Sequence, residues 1–233
     1  MLPLRPAWTD RPELMDRPGH DPAVLAENLN DLRLVNRWLG GARLTVDGLE
    51  RLTDGLAPDR RLRLLDVAAG GADISRVLVG WARRRWRDAL VVATDLSHEI
   101  LRLATDPPRP GLAFAVCDGL RLPFRDGAFD AAVCSLVLHH LRPDEAVRFL
   151  REMRRVSRLG VVVNDIVRWW PGVWGAWLIS RLFSRNPLTR HDGPLSVRRA
   201  YTRPELRALV VRAGLRGLWF EGFMGYRVAL VAA

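Results

Sequence analysis

The stretch "LLDVAAGGADIS", Leu64 to Ser75, carries Asp66 out of an apolar run and into the turn Ala68-Ala69-Gly70-Gly71-Ala72, whose small side chains let backbone approach a ligand closely. A second apolar run ends in Asp95, 29 residues after Asp66, where a carboxylate can accept hydrogen bonds from a ribose diol. A third is followed by Asp118, placed to meet an adenine edge. One acidic residue after a strand is an ordinary turn or cap residue. Three in succession beside a small-residue turn describe a pocket for an adenosine-containing cofactor. The G-x-G-x-x-G spacing of a nicotinamide dehydrogenase is absent from this turn.

These residues need strands that end side by side. The apolar runs Leu62 to Val67, Ala89 to Thr94, Leu112 to Val116, "FDAAVCSLV" and "GVVVND" read as five strands. Between them lie helical patterns, such as Ile74, Val77, Leu78, Trp81 and Ala82 on one stripe, and Val147, Leu150, Met153 and Val156 on another after Pro143. Short apolar strands alternating with amphipathic helices predict a parallel sheet covered on both faces. In such a sheet ligands bind beyond the carboxyl ends of strands. The tail differs: "TRPELRALVVRAGL" carries the capping box Thr202 and Glu205, and the two strands after it, about Leu218 to Gly222 and Tyr226 to Val231, are joined too closely for a parallel crossover. Upstream, residues 1 to about 22 read as an irregular arm, "DPAVLAENLNDLRLVNRWLGG" as an amphipathic helix stopped by Gly40 and Gly41, and "VDGLERLTDGL" as a second short helix.

The net charge of +10 comes from 36 basic side chains that are all arginine, a bias of the whole chain more than a patch, and no nucleic-acid reading motif accompanies it, so no nucleic-acid partner is expected. Cys117 and Cys134 are too few for a disulfide framework or a zinc site, and no metal is expected. No signal segment or spanning apolar run is present, and a cytoplasmic location is expected. The oligomeric state is not legible.

The motifs resemble those of the class I S-adenosylmethionine-dependent methyltransferases, from about Leu29 to Val231. "LLDVAAGGADIS" is similar to that superfamily's first motif, "VVATDLSHEILRLA" to its second, and "CDGLRLPFRDGAFDAAVCSLVLHHL" to its third and fourth. The resemblance implies a single α/β domain over 1–233: a Rossmann-like, seven-stranded, mostly parallel sheet with helices on both faces and an antiparallel last strand. An N-terminal arm and helical cap fill 1–60, the cofactor-binding core 61–167, a lid insertion after the fifth strand 168–200, and a helix with hairpin 201–233. It implies S-adenosylmethionine held by Asp66, Ala68, Gly70, Asp95, Leu96, Asp118, Gly119 and Ser135. Ala68 and Ala72 stand at the outer positions of a turn that usually carries three glycines, and Ala68 is similar to the form in quinone-biosynthesis C-methyltransferases. "NDLRLVNRWLGG", "NDIVR" and "TRHDGPLSVRRAYT" resemble a bacterial subgroup of small-molecule methyltransferases associated with polyketide pathways.

Methyl transfer to a phenol or activated carbon calls for a general base. Candidates are His139, with its neighbour His140, Asp165 and His191 beside Asp192. "LHH" is widespread in the superfamily and also has a structural reading, as shaping of the cofactor pocket. The insertion's "RWWPGVWGAWLISRLF" holds four tryptophans and is apolar around most of a helix, beyond what one buried face needs. Packing, a lid over an apolar small-molecule acceptor, and peripheral membrane contact are its three readings. Asn36, Trp174, Trp177 and Tyr201 are expected to face substrate. Two function classes stay open here: methylation of a hydroxyl or ring carbon of a small phenolic or polyketide-like metabolite, or a methyltransferase fold without transfer, as scaffold or repurposed biosynthetic enzyme.

Overall fold

A computed structural model describes residues 12–222 and 225–233. Seven strands form one sheet in the order β3-β2-β1-β4-β5-β7-β6, with β1 Arg61–Val67, β2 Asp88–Asp95, β3 Leu112–Val116, β4 Phe129–Ser135, β5 Ser157–Ile166, β6 Gly217–Glu221 and β7 Arg227–Ala232. The first five are parallel, while β7 runs antiparallel to both β5 and β6. Strand order reverses at β1, which pairs with β2 on one side and β4 on the other, so a crevice opens where their carboxyl ends diverge.

The period-two alternation of the central strands divides the core. Leu62 and Leu64 face α2 (Gly41–Leu52) and α3 (Asp73–Arg85), whereas Leu65 and Val67 face α5 (Pro143–Val156) and α8 (Arg203–Arg212). A shorter helix, α4 (His98–Ala104), flanks β2 and β3, with Ser97 accepting from the Ile100 N–H as its cap. The Thr202 and Glu205 box opens α8 as read from sequence.

Two elements differ from expectation. The helix after the first begins at Gly41, not Val46, because Gly40 adopts φ 77 and reverses the chain in one residue between α1 (Pro22–Trp38) and α2. Gly41 then lies where a Cβ would stand 2.3 Å from the Arg227 guanidinium. The insertion is a helical hairpin, α6 (Trp170–Phe183) and α7 (Pro187–Arg199), and α7 continues through Gly193 and Pro194. Asn186 caps α7 by accepting from the Leu188 and Thr189 N–H groups.

The arm is docked over its described part. A 3-10 turn, Leu14–Asp16, donates the Leu14 and Met15 amides to the two carboxylate oxygens of Asp192 in α7, at 2.8 and 3.0 Å. Leu14, Met15, Val24 and Leu29 join Leu25, Ile100 and Leu188 in one apolar cluster. Arm, α1, α4 and α7 therefore share a core beside the crevice.

Candidate active site

At the end of β1 the turn is held open by backbone geometry. Ala68, Gly70 and Ala72 all have positive φ, 55, 52 and 55°, a region that disfavours L side chains, and a methyl group is the smallest one that can be placed there. Ala72 is fully buried against Ala93 and Ala104, so small partners give the helix start the room that a glycine would otherwise provide. A Cβ on Gly70 would meet nothing within 4 Å, which leaves the turn's face open to a ligand. Leu29 of α1 lies over Gly71.

Asp95 ties this turn to the next one. Its Oδ2 accepts the Gly70 N–H and its Oδ1 the Ser97 N–H, each at 2.9 Å. A carboxylate offers about four acceptor positions, so capacity remains for a ribose hydroxyl. Leu96, 71% exposed beside it, presents an apolar surface for a base to lie on. Asp118 is exposed with one oxygen on the Leu120 N–H, and at the neighbouring Gly119 a Cβ would stand 2.5 Å from Phe149, so that position admits no side chain. Ser135, at the end of β4, has a buried hydroxyl with no partner among the described residues. The next residue, Leu136, has φ 61, a strained conformation of about 1–3 kcal/mol that swings the chain away from the strand end.

The electrostatics suit a cationic ligand. Burial pushes the Asp66 carboxyl up to about 7, despite its hydrogen bond from Ser75, and the nearby charges of Asp73 and Asp95 raise it further. Burial also raises Asp73 and Asp95. A sulfonium and ammonium placed among these three would favour their ionised forms.

A second cluster lies next to the crevice. His139 is buried with Nδ1 at 2.8 Å from Asp165 Oδ1, and because an ionised carboxylate only accepts, that nitrogen carries a proton. Asp165 is itself aimed by the Leu138 N–H on Oδ2 and the Ile166 N–H on Oδ1, both at 2.7 Å. Burial works against its ionisation, yet His139 and these bonds hold it below the usual carboxylate range. His139 Nε2 faces Glu13 at 3.6 Å and His140 Nε2 faces the same carboxylate at 3.8 Å, while His140 Nδ1 donates to Asp16 at 3.1 Å. Burial lowers the His140 imidazole, but Glu13 and Asp16 outweigh it and lift it to about 9. Ser196 and Arg199 of α7 complete the hold on Glu13. Glu13, His139 and His140 bring ligand-type atoms within 4.8 Å of one another, as a metal would require. The Arg199 guanidinium, 3.9 Å from Glu13, already supplies positive charge there and opposes a dication.

His191 does not join this cluster. It pairs with Asp192 at 2.7 Å and lines, with Trp174 and Trp177, a cavity of about 640 Å³ between the arm and the α6–α7 hairpin; no residue of the crevice lines it. Asn36 and Tyr201 are buried and hydrogen-bonded within the protein. The Asn36 amide donates to Asp73 and accepts from Arg227 at 2.8 Å, and the buried Tyr201 hydroxyl donates to the Leu141 carbonyl. Both act by holding the cap and the β4 end in place. Sequence reasoning missed Glu13, Asp16 and Arg199, whose signals lie in an irregular arm and at a helix end, and Arg227, a fully buried guanidinium in an otherwise apolar strand.

Fold and crevice define an α/β enzyme that binds an adenosine-bearing cofactor at its switch point. Residues 65–163 match the family model described as "Methyltransferase domain". The chain is 31% identical over 236 residues to a demethylmenaquinone methyltransferase of Beutenbergia cavernae, spanning 93% of this chain and 91% of that one. It is 30% identical to one from Streptomyces griseus, over 82% and 84%. Among solved structures, a SAM dependent methyltransferase from Aquifex aeolicus superposes with a TM-score of 0.61 at 18% identity, over 92% of this chain and 98% of that one, a likeness of fold. The chain belongs to the class I S-adenosylmethionine-dependent methyltransferases, and S-adenosylmethionine is its cofactor. The relatives are named for quinone methylation, not for polyketide pathways.

Proposed function

We propose that this methyltransferase acts on a hydroxyl or ring carbon of a small apolar phenol or quinol, with His139 as general base and Asp165 holding its tautomer. The observation that carries the reading is the buried His139–Asp165 pair, whose hydrogen bond fixes a proton on Nδ1 and sets Nε2 on the far side of the ring. S-adenosylmethionine supplies an electrophilic methyl group on a sulfonium. Asp95 and Asp118 would hold its nucleoside, and Ala68 to Gly70 its methionine part. The chain's own task would then be alignment and proton removal: the acceptor's proton would pass to His139 Nε2, leaving the acceptor's electron pair aligned with the methyl group that the cofactor supplies. Glu13, buried and clamped by Ser196 and Arg199, closes this centre from solvent. The relatives' names support a quinol-type acceptor.

The test is incubation with S-adenosylmethionine and a panel of short-chain demethylnaphthoquinols, resorcinols and phenols, reading S-adenosylhomocysteine and the position of the new methyl group. Turnover on an aromatic hydroxyl compound that His139→Ala removes is expected. Turnover indifferent to that change, or confined to non-aromatic acceptors, would overturn the assignment.

A further inference from the structure

The α6–α7 hairpin carries an apolar surface that the fold does not use. On α6 only Gly172, Val173 and Ser180 are buried. Trp170, Leu182 and Phe183 are 70, 66 and 80% exposed, and Leu178 and Ile179 lie open with them. At 100° per residue, Leu178, Ile179, Leu182 and Phe183 share one flank of the helix, well away from the line through Val173 and Ser180. Trp170, Trp174, Trp177 and Arg181 recur at intervals of four, three and four, and form a separate stripe that lines the 640 Å³ cavity. The Arg181 guanidinium lies 5.2 Å over the Trp177 ring.

The cavity is as cationic as it is aromatic. Arg17, Arg190 and Arg198 join Arg181 in its wall, and among the described residues none of the four has a carboxylate within ion-pair distance. From Arg168 to His191 the sequence contains no aspartate or glutamate. An apolar flank beside interfacial tryptophans and guanidiniums that have no carboxylate partner among the described residues has the composition of a surface that lies in the headgroup region of a bilayer. The 14 residues of α6 are too few to span one. A second copy of the chain is a poor occupant, because a two-fold contact would set the same arginines against each other.

We propose that the α6–α7 hairpin docks on an anionic lipid surface, with the Leu178–Phe183 flank entering the interface and the arginine and tryptophan cavity receiving a lipid phosphate. The inference rests on the hairpin alone and does not depend on which acceptor is methylated. Its test is co-sedimentation of the full-length protein with vesicles of phosphatidylcholine, with and without phosphatidylglycerol. Binding that appears only with the anionic lipid and weakens with added salt is expected. Leu182→Asp with Phe183→Asp, on side chains that touch solvent, should lower it by about tenfold or more, and Arg181→Glu with Arg198→Glu by a similar factor. Both variants should keep wild-type S-adenosylmethionine affinity by titration calorimetry, which separates lost docking from lost folding. Equal binding to both vesicle types, or full binding by the Leu182 and Phe183 variant, would overturn the proposal. So would competition by millimolar glycerol phosphate, which would make the cavity a site for a free phosphate ester. A dimer in sedimentation velocity that the same variant dissociates, without vesicle binding, would reassign the face to self-association.

Discussion

The cofactor crevice and the proposed acceptor centre lie side by side, yet they are built in different ways. The crevice draws on strand ends. Asp66, Gly70, Asp95, Asp118 and Ser135 each sit within a few residues of a β-strand terminus, and some of their bonds go to backbone close by in the chain, such as Asp95 to Ser97 and Asp118 to Leu120. The acceptor centre is assembled from parts far apart in the chain: Ser196 meets Glu13 across 183 positions and His140 meets Asp16 across 124. Topology alone suffices to place the first. The second exists only once arm, hairpin and sheet have docked.

Substitutions can break or sharpen this contrast. His139→Ala should lower methyl transfer by about 10²–10⁴-fold, the usual worth of a general base, while the Kd for S-adenosylmethionine stays within about threefold. A matching loss of cofactor affinity would mean that the two regions are one site. Asp95→Ala should act the other way, weakening cofactor binding by about 10–100-fold through loss of charge-assisted hydrogen bonds, with little change in turnover at saturation. Gly41→Ala should destabilise the fold by about 1–3 kcal/mol, since a Cβ there meets the buried Arg227, and chemical denaturation reads it.

The arm should respond to pH. His140 is raised to about 9 in the folded state, so it holds its proton more tightly there than in the unfolded chain, and that stabilisation is complete below its ordinary value of 6.5. It falls away as pH rises from 6.5 through about 9. Limited proteolysis near Glu13 should accelerate across that window, and His140→Gln should flatten the dependence. The smallest effect is expected for Ala72→Gly. Relief of a left-handed alanine and the added freedom of the unfolded chain oppose each other at about 1 kcal/mol, so Tm and cofactor affinity should barely move.

The same contrast explains what could be read in advance. The strand runs and the capping box of α8 are local patterns, and the structure places every strand within a few residues of its sequence reading. Asp66, Asp95 and Asp118 were legible because a carboxylate at a strand end leaves a mark in the sequence itself. The partners of Asn36 were not legible for a physical reason: on an amphipathic helix a polar residue reads alike whether it meets solvent or, as here, Asp73 and Arg227. The arm read as irregular, and the part its described residues play in the site comes from Asp192 accepting two of their amides, a pairing that no local pattern records. The hairpin tryptophans were conspicuous, but nothing in their spacing tells a lid from a surface.

Asn164 and Asp165 are adjacent in β5 and therefore point to opposite faces of the sheet. The Asn164 amide donates to the Gly41 carbonyl and so grips the helical cap, while Asp165 grips His139 on the other side. In an evolving lineage the two attachments are consequently inherited as a pair. Inserting one residue ahead of them in β5 would exchange them and lose both at once, whereas a two-residue insertion would preserve their sidedness. Length variation in this strand should thus be tolerated only in even steps, and a series of one- and two-alanine insertions before Val161 would reveal that parity as alternating loss and partial recovery of folded protein.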